Sequence, residues 1–210
     1  MSDSGDSGRC GRRRHRLQQG PILLRTAGIE DMVVGHAAAS DPEAQYWLGW
    51  RPEQICPAPV RAQCLETIPR EDRAAGRGKA GSHGFFAALD PGSGRLLGMV
   101  GINLAQDRER YEMGGWLAPD FRGRGLGAAL FQAAVRLAHE HLGIVEVAAG
   151  TEQTNIASQR SLIAAGFVSG DGPDPHILPN GRVIASRWFR HGSAAHLCRK
   201  GGVREWLRTP

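Results

Sequence analysis

The stretch FRGRGLG, Phe121 to Gly127, combines three glycines with two arginines just before a helix-like run, AALFQAAVRLAHEHLG. Glycines at 123, 125 and 127 let the backbone approach a ligand closely and adopt dihedrals closed to other residues. The first turn of a helix leaves amide N–H groups without intrachain partners, and these carry partial positive charge. Gly123 to Gly127, with Leu126 at the helix start, therefore read as an anion site whose usual occupant is a diphosphate. Arg122 and Arg124 add side-chain charge around it. Other phosphate motifs do not fit. There is no Gly-Lys-Ser/Thr, and the dinucleotide fingerprint wants GxGxxG after a first strand. Here the spacing is Arg122-x-x-Gly125-x-Gly127, following several strand-like segments.

The elements that must position this loop are legible on both sides of it. FFAALD, RLLGMVGINLAQ and YEMGGWLAP, joined by the short turns PGSG and DRER, predict three strands in successive antiparallel hairpins. After the loop come a helix from about Leu126 to His141, the strand IVEVAAGT and a second helix, NIASQRSLIAAG, ending at Gly166. The strand FVSGDG, the loop GPDPHILPNG and a last strand VIASRWFRH complete this half. Upstream, PILLRTAGIEDM starts as a strand and runs towards a helix for which Asp31 is a candidate cap. VVGHAAAS and DPEAQYWLGWRPEQI are helical, the second opening on Asp41-Pro42. Tyr46, Trp47 and Trp50 form an aromatic stripe, expected to pack into the core in preference to stacking on a ligand. A meander followed by β-helix-β-helix-β-β predicts an α/β (α+β mixed) sheet with helices packed on it.

Arg122-x-x-Gly125-x-Gly127 resembles the acetyl-CoA pyrophosphate loop of the GNAT superfamily of N-acetyltransferases. Twenty-eight residues after Gly127, Asn155-Ile-Ala-Ser158 followed by Gly166-Phe167 resembles that family's second signature with matching spacing. YEMGGWLAPDFRGRGLG is similar to its fourth strand and loop entry, and the Asn-Ile-Ala-Ser form is nearest the ribosomal-protein alanine acetyltransferase branch. The resemblance implies a central mixed, mostly antiparallel sheet of about seven strands, splayed between the fourth and fifth, with about four helices. It also implies acetyl-CoA as cosubstrate. Backbone groups of Gly115, Trp116 and Leu117 would hold pantetheine like an added strand, and Asn155 would bond the pantetheine arm while serving as an N-cap.

Acetylation of an amine must remove a proton from the incoming ammonium and compensate the departing thiolate. For the first, Glu112 is the candidate base, ten residues before Arg122, near where the histone-acetylating branch carries its glutamate. A solvated strand glutamate is the equal alternative, and Glu146 and Glu152 are further candidates. For the second, many relatives use a tyrosine seven residues after the asparagine, where this chain has Leu162. Ser158 is the remaining hydroxyl, suited to stabilising the thiolate or relaying a water, with proximity supplying most of the acceleration. Gly115 is a second departure, since relatives often carry tyrosine there.

Composition bounds the rest. The 210 residues suffice for one domain with tails, here 1–20, 21–198 and 199–210. No run approaches a membrane span, and the basic cluster RRRHR lacks the apolar stretch of a secretory signal. Residues 1–20 hold five Arg against two Asp, a net +3 of the chain's +5, so the basic balance mostly reports that tail. It is expected to be disordered, with at most weak nucleic-acid contact. Cys10, Cys56, Cys64 and Cys198 have no zinc spacing, no metal is expected, and reduced thiols suit a cytoplasmic protein. The acceptor is then a primary amine, on a protein N-terminus or a small molecule. It would meet the loops 68–84 and 171–181 and the helices in 32–56, and Arg70, Arg73, Arg77 and Lys79 in the first loop suit either a carboxylate-bearing acceptor or plain solvent. Dimers are frequent in the superfamily, which admits a homodimer without any residue that establishes it. The alternative function is a CoA-binding sensor or structural module that keeps the cofactor site without catalysis.

Overall fold

The protein is described by a computed structural model over residues 15–51, 84–105 and 109–193. In chain order the elements are β1 (Arg16–Gln19), β2 (Ile22–Thr26), α1 (Ile29–Ala38), α2 (Pro42–Leu48), β3 (Gly84–Leu89), β4 (Leu96–Leu104) and β5 (Tyr111–Leu117). There follow α3 (Leu126–Arg136), widened in its last turn over Leu137–His141, then β6 (Glu146–Glu152), α4 (Ile156–Ala164) and β7 (Val168–Gly170). β8 (His176–Ile177), β9 (Val183–Ile184) and β10 (Ser186–Gly192) complete it.

Eight strands form one sheet in the order β1-β2-β3-β4-β5-β6-β10-β7, and β8 and β9 make a separate ribbon. The meander β1 to β5 is antiparallel throughout, as the short turns PGSG and DRER require. Among the described residues β5 and β6 are the one parallel pair, with α3 as the crossover between them. The two pair only at Tyr111↔Val147 and Glu112↔Ala148, after which they part. β6 continues along β10 over its full length, so the sheet splits into two wings hinged at Glu112.

The mixed sheet carries α3 and α4 on one face. α3 buries Leu130, Phe131, Ala133, Ala134 and Val135, which join Leu24, Phe86, Val100, Met113, Val147, Leu162 and Phe189 in the main core. Each such aliphatic or aromatic side chain contributes about 1.5–3 kcal/mol. α1 lies on the other face, where Met32 and Val33 meet Met99 and Trp116.

Three sequence expectations change. Residues 16–19, assigned to the tail 1–20, form edge strand β1: Leu17 is buried opposite Leu24, which a wholly polar reading of RLQQ overlooks. Asp31 is not the helix cap but the third helical residue; its carboxylate accepts from the Gly28 amide at 2.7 Å and pairs with Arg25. The aromatic stripe of α2 does not enter the core, because Ala44 is the buried residue of that helix. Tyr46 is 52% exposed beneath the Arg182 guanidinium, and Trp47 and Trp50 are half-buried beside the split in the sheet. The four cysteines, the loop 68–83 and the segment 194–210 lie outside the described residues.

Candidate active site

The loop that enters α3 is built from its glycines. Gly123 and Gly125 have φ of 69° and 75°, the left-handed region that glycine fills without strain. A Cβ at either would meet nothing within 4 Å, so both face open space. Gly125 is the residue preceding α3, and no side chain caps the helix there. The first-turn amides are thus left for an external partner. Gly127 answers to a different need. A Cβ there would run into the Ser161 hydroxyl and come within 3.2 Å of Ser161 Cβ, so this glycine lets α3 and α4 approach.

The arginines divide. Arg124 is exposed, 5.8 Å from the centre of the Phe121 ring, at the mouth of the loop. Arg122, expected at the diphosphate rim, points elsewhere. Its guanidinium grips both carboxylate oxygens of Asp41 at 2.7 and 2.8 Å, reaches Glu43 at 3.2 Å and donates from Nε to the Leu117 carbonyl at 3.0 Å. The carboxylate of Asp41 also accepts from the Ala44 amide as the cap of α2. Arg122 holds this carboxyl below the ordinary aspartate range, and Asp41 raises the arginine in turn. The Arg122 side chain therefore fastens α2 to the end of β5.

Gly115, Trp116 and Leu117 lie on the stretch of β5 that pairs with β4 on one edge and has left β6 on the other. A Cβ at Gly115 would lie 3.5 Å from Leu130 Cδ2, on the α3 face. A tyrosine there would press into the core, so glycine at this position does not widen the opposite face. Glu112, Gly114 and Trp116 alternate onto that opposite face.

Two cavities meet at the split. One, of about 150 Å³, holds Asn155, Ser158, Leu162, Thr151 and Glu152 among its walls. Asn155 caps α4, its Oδ1 accepting from the Ser158 amide at 3.0 Å. The Ser158 hydroxyl is half-buried and makes no hydrogen bond among the described residues. Leu162 is 1% exposed, an apolar floor with no proton to give. Glu152 is tied through Oε2 to Arg182 at 3.2 Å, and its Oε1 accepts from the Thr154 hydroxyl at 3.2 Å. Glu146 sits at the far end of β6, 4.0 Å from Arg190 and away from both cavities.

The second cavity, of about 310 Å³, lies on the other side of the split, and Gly114, Gly115, Gly150 and His176 line both. Glu112 is in its wall, with Oε1 accepting from Arg110 Nε at 3.0 Å. Trp50, Phe85, Trp116 and Trp188 surround it. Of these, Trp116 was expected at the site only through its backbone, and Trp50 was weighed for stacking but expected in the core. Phe85 and Trp188 were not readable as site residues, since hydrophobic periodicity alone assigns them to core or surface. The signal that could have found them is the pairing Gly101↔Gly114 on adjacent strands, which clears a patch of sheet. Among the described residues no group of His, Cys, Asp and Glu could hold a metal ion, and no helix is long and apolar enough to cross a membrane.

A sheet opened between two parallel strands, with an uncapped glycine-led helix at the opening, defines an acyltransferase scaffold. The chain belongs to the GNAT acetyltransferase family, whose domain model matches residues 22–168. Solved structures share the fold. A spermidine N-acetyltransferase from Vibrio cholerae, in complex with CoA and spermine, superposes with TM-score 0.66 at 15% identity over 84% of this chain and 98% of that one. A ribosomal L7/L12 alpha-N-protein acetyltransferase in complex with coenzyme A gives 0.67 at 16% identity over 86% and 99%. A ribosomal-protein-S5-alanine acetyltransferase from Vibrio fischeri gives 0.61 at 13% over 86% and 97%. No curated protein matches the chain.

Proposed function

We propose that the protein is a cytoplasmic enzyme that moves the acetyl group of acetyl-CoA directly to a primary amine, small molecule or protein N-terminus, with both substrates bound together. The observation that carries this reading is the freed edge of β5, which runs from Glu112 at the hinge to the uncapped start of α3. The amides of Gly123 to Gly127, with Arg124 beside them, hold the diphosphate by backbone and helix-end charge. Arg122 serves the loop through its main chain, its side chain being engaged with Asp41. The edge of Gly115 to Leu117 and Asn155 hold the pantetheine arm along the smaller cavity.

The amine approaches through the larger cavity. Glu112 takes its proton, directly or through a water, while Arg110 fixes the orientation of the carboxylate. The amine nitrogen attacks the thioester carbonyl, the C–S bond breaks, and the thiolate departs beside Ser158, whose hydroxyl donates to it. Leu162 leaves no stronger acid there, so placing the two reactants together supplies much of the acceleration.

Thiol release from acetyl-CoA in the presence of an amine panel tests the reading. Glu112→Gln should lower kcat by about 10²–10⁴-fold with little change in CoA affinity. Full turnover in that variant removes Glu112 as the base. CoA binding without acetylation of any amine would point to a sensor instead, which the apolar Leu162 position favours.

A further inference from the structure

The larger cavity has a polar end, a flat floor and aromatic walls, and all three follow from strand register. Asn103↔Glu112, Gly101↔Gly114 and Met99↔Trp116 are directly opposed on β4 and β5, so these pairs project to one face. Glu112 and Asn103 form the polar end at the hinge. Next to them Gly101 and Gly114 leave bare backbone; a Cβ at Gly114 would meet nothing within 4 Å. Phe85 lies over Gly101 from β3, its ring 3.2 Å from where a Cβ would be. On the other side the Trp188 ring covers Gly150 and is fixed by donation from Nε1 to the Pro173 carbonyl at 2.8 Å. Trp116 and Trp50 close the end remote from Glu112, their rings edge to face at 6.5 Å.

The charges decide what fits. Glu112 is the one carboxylate among the described residues of this cavity, and Arg110 already neutralises it. The described residues of this cavity offer no second carboxylate to pair the further ammonium groups of a polyamine, while rings and bare backbone offer contact to an uncharged body. A monoamine that gives up its proton at Glu112 becomes neutral, and the one charge it brought passes to the Glu112–Arg110 pair at the polar end, away from the rings. Its remaining body meets bare glycine below and rings on the sides, a slot suited to a planar apolar group. The volume, about 310 Å³, is that of a pocket for a small ligand or a single side chain.

We propose that the acceptor is a monoamine carrying an aromatic ring close to its amino group, of the arylethylamine type. This rests on the acetyltransferase reading above and narrows its substrate class. The same chemistry occurs in a free amine and in a peptide whose first residue is phenylalanine, so both are assayed.

Phenethylamine, a peptide amide beginning with phenylalanine, propylamine and spermidine are compared as acceptors of the full chain with acetyl-CoA, by thiol release. In parallel, calorimetry with CoA present measures their binding. At least one aromatic amine should exceed both propylamine and spermidine by about 10-fold or more in kcat/KM, and the stronger of the two identifies the source. Gly114→Val, which places methyl groups on the open floor, should lower the aromatic-to-propylamine ratio by about 10-fold. Spermidine equal to or better than both aromatic amines overturns the inference while leaving the transferase reading intact. So does a ratio unmoved by Gly114→Val in a variant that melts like the parent. If no amine is acetylated, tight calorimetric binding of an aromatic amine supports the pocket and removes the transferase. Absence of such binding overturns the pocket as well.

Discussion

At the scale of single residues, the loop FRGRGLG shows how one motif gathers unlike physical causes. Gly123 and Gly125 are needed for backbone angle, Gly127 for the approach of α4, and Arg122 for an ion pair made with Asp41, 81 residues away in sequence. The dihedral reason for Gly123 and Gly125 was legible in the sequence, but the approach of α4 that requires Gly127 was not. Nothing in the sequence shows that the arginine is already occupied, because its partner lies on another element. Gly125→Ala separates angle from packing. A non-glycine residue at φ 75° costs about 1–2 kcal/mol, and the added methyl projects into the open mouth where the diphosphate amides are offered. The variant should melt a few degrees lower, and its CoA affinity by calorimetry should fall about 10-fold, near 1.4 kcal/mol. Unchanged affinity would place the diphosphate somewhere other than this loop.

At the scale of elements, α2 is held by its N-terminus, where Asp41 both caps the helix and pairs with Arg122. The cap was legible from Asp41-Pro42; the ion pair was not. The roles come apart in two variants. Asn is as good a cap as Asp, so Asp41→Asn removes only the charge pairing, about 0.5–1 kcal/mol for a partly exposed pair. Asp41→Ala loses the cap as well, about 1 kcal/mol more. Because the folded carboxyl is held below its unfolded value, its contribution is present above about pH 4 and lost as pH falls below that. Thermal melts of parent and Asp41→Asn should therefore converge in acid. The widened end of α3 offers the opposite test. His139 Nδ1 lies 2.6 Å from the Ile144 carbonyl and its Nε2 3.0 Å from His191 Nδ1 on β10. Burial first, then the charge of His139, lowers the His191 pKa below the ordinary histidine value. The unfolded chain then binds more protons near pH 6, and stability is lost as pH falls through and below about 6.5. His191→Phe should flatten the melting temperature between pH 7 and 5 relative to the parent; an equal slope in both would assign the dependence to other groups.

At the scale of the molecule, the order of strands along the chain was readable because hairpin turns and helix signatures are local. The lateral order β6-β10-β7 and the ribbon β8–β9 were not, since they depend on contacts between distant and very short segments. The same limit hid β1. RLQQ carries one apolar residue, and its strand character comes from β2: Leu17 faces Leu24, the His15 amide donates to Thr26 Oγ1 at 2.9 Å, and Gln19 accepts from Arg136 at 2.6 Å. Strand and basic charge therefore occupy different parts of what composition alone presents as a single tail. Residues 1–14 carry four of its five arginines, while 15–19 carry the sheet edge. A chain beginning at His15 keeps every contact described and should melt with the full-length protein. One beginning at Pro21 gives up Leu17, about 1.5–3 kcal/mol, and should melt at least about 3 °C lower. Salt-sensitive RNA binding, measured on the same two chains, should vanish already in the longer one if the arginines carry it. Loss of binding only in the shorter chain would instead assign it to the sheet edge, and an equal melt for both truncations would show that β1 adds nothing to the fold.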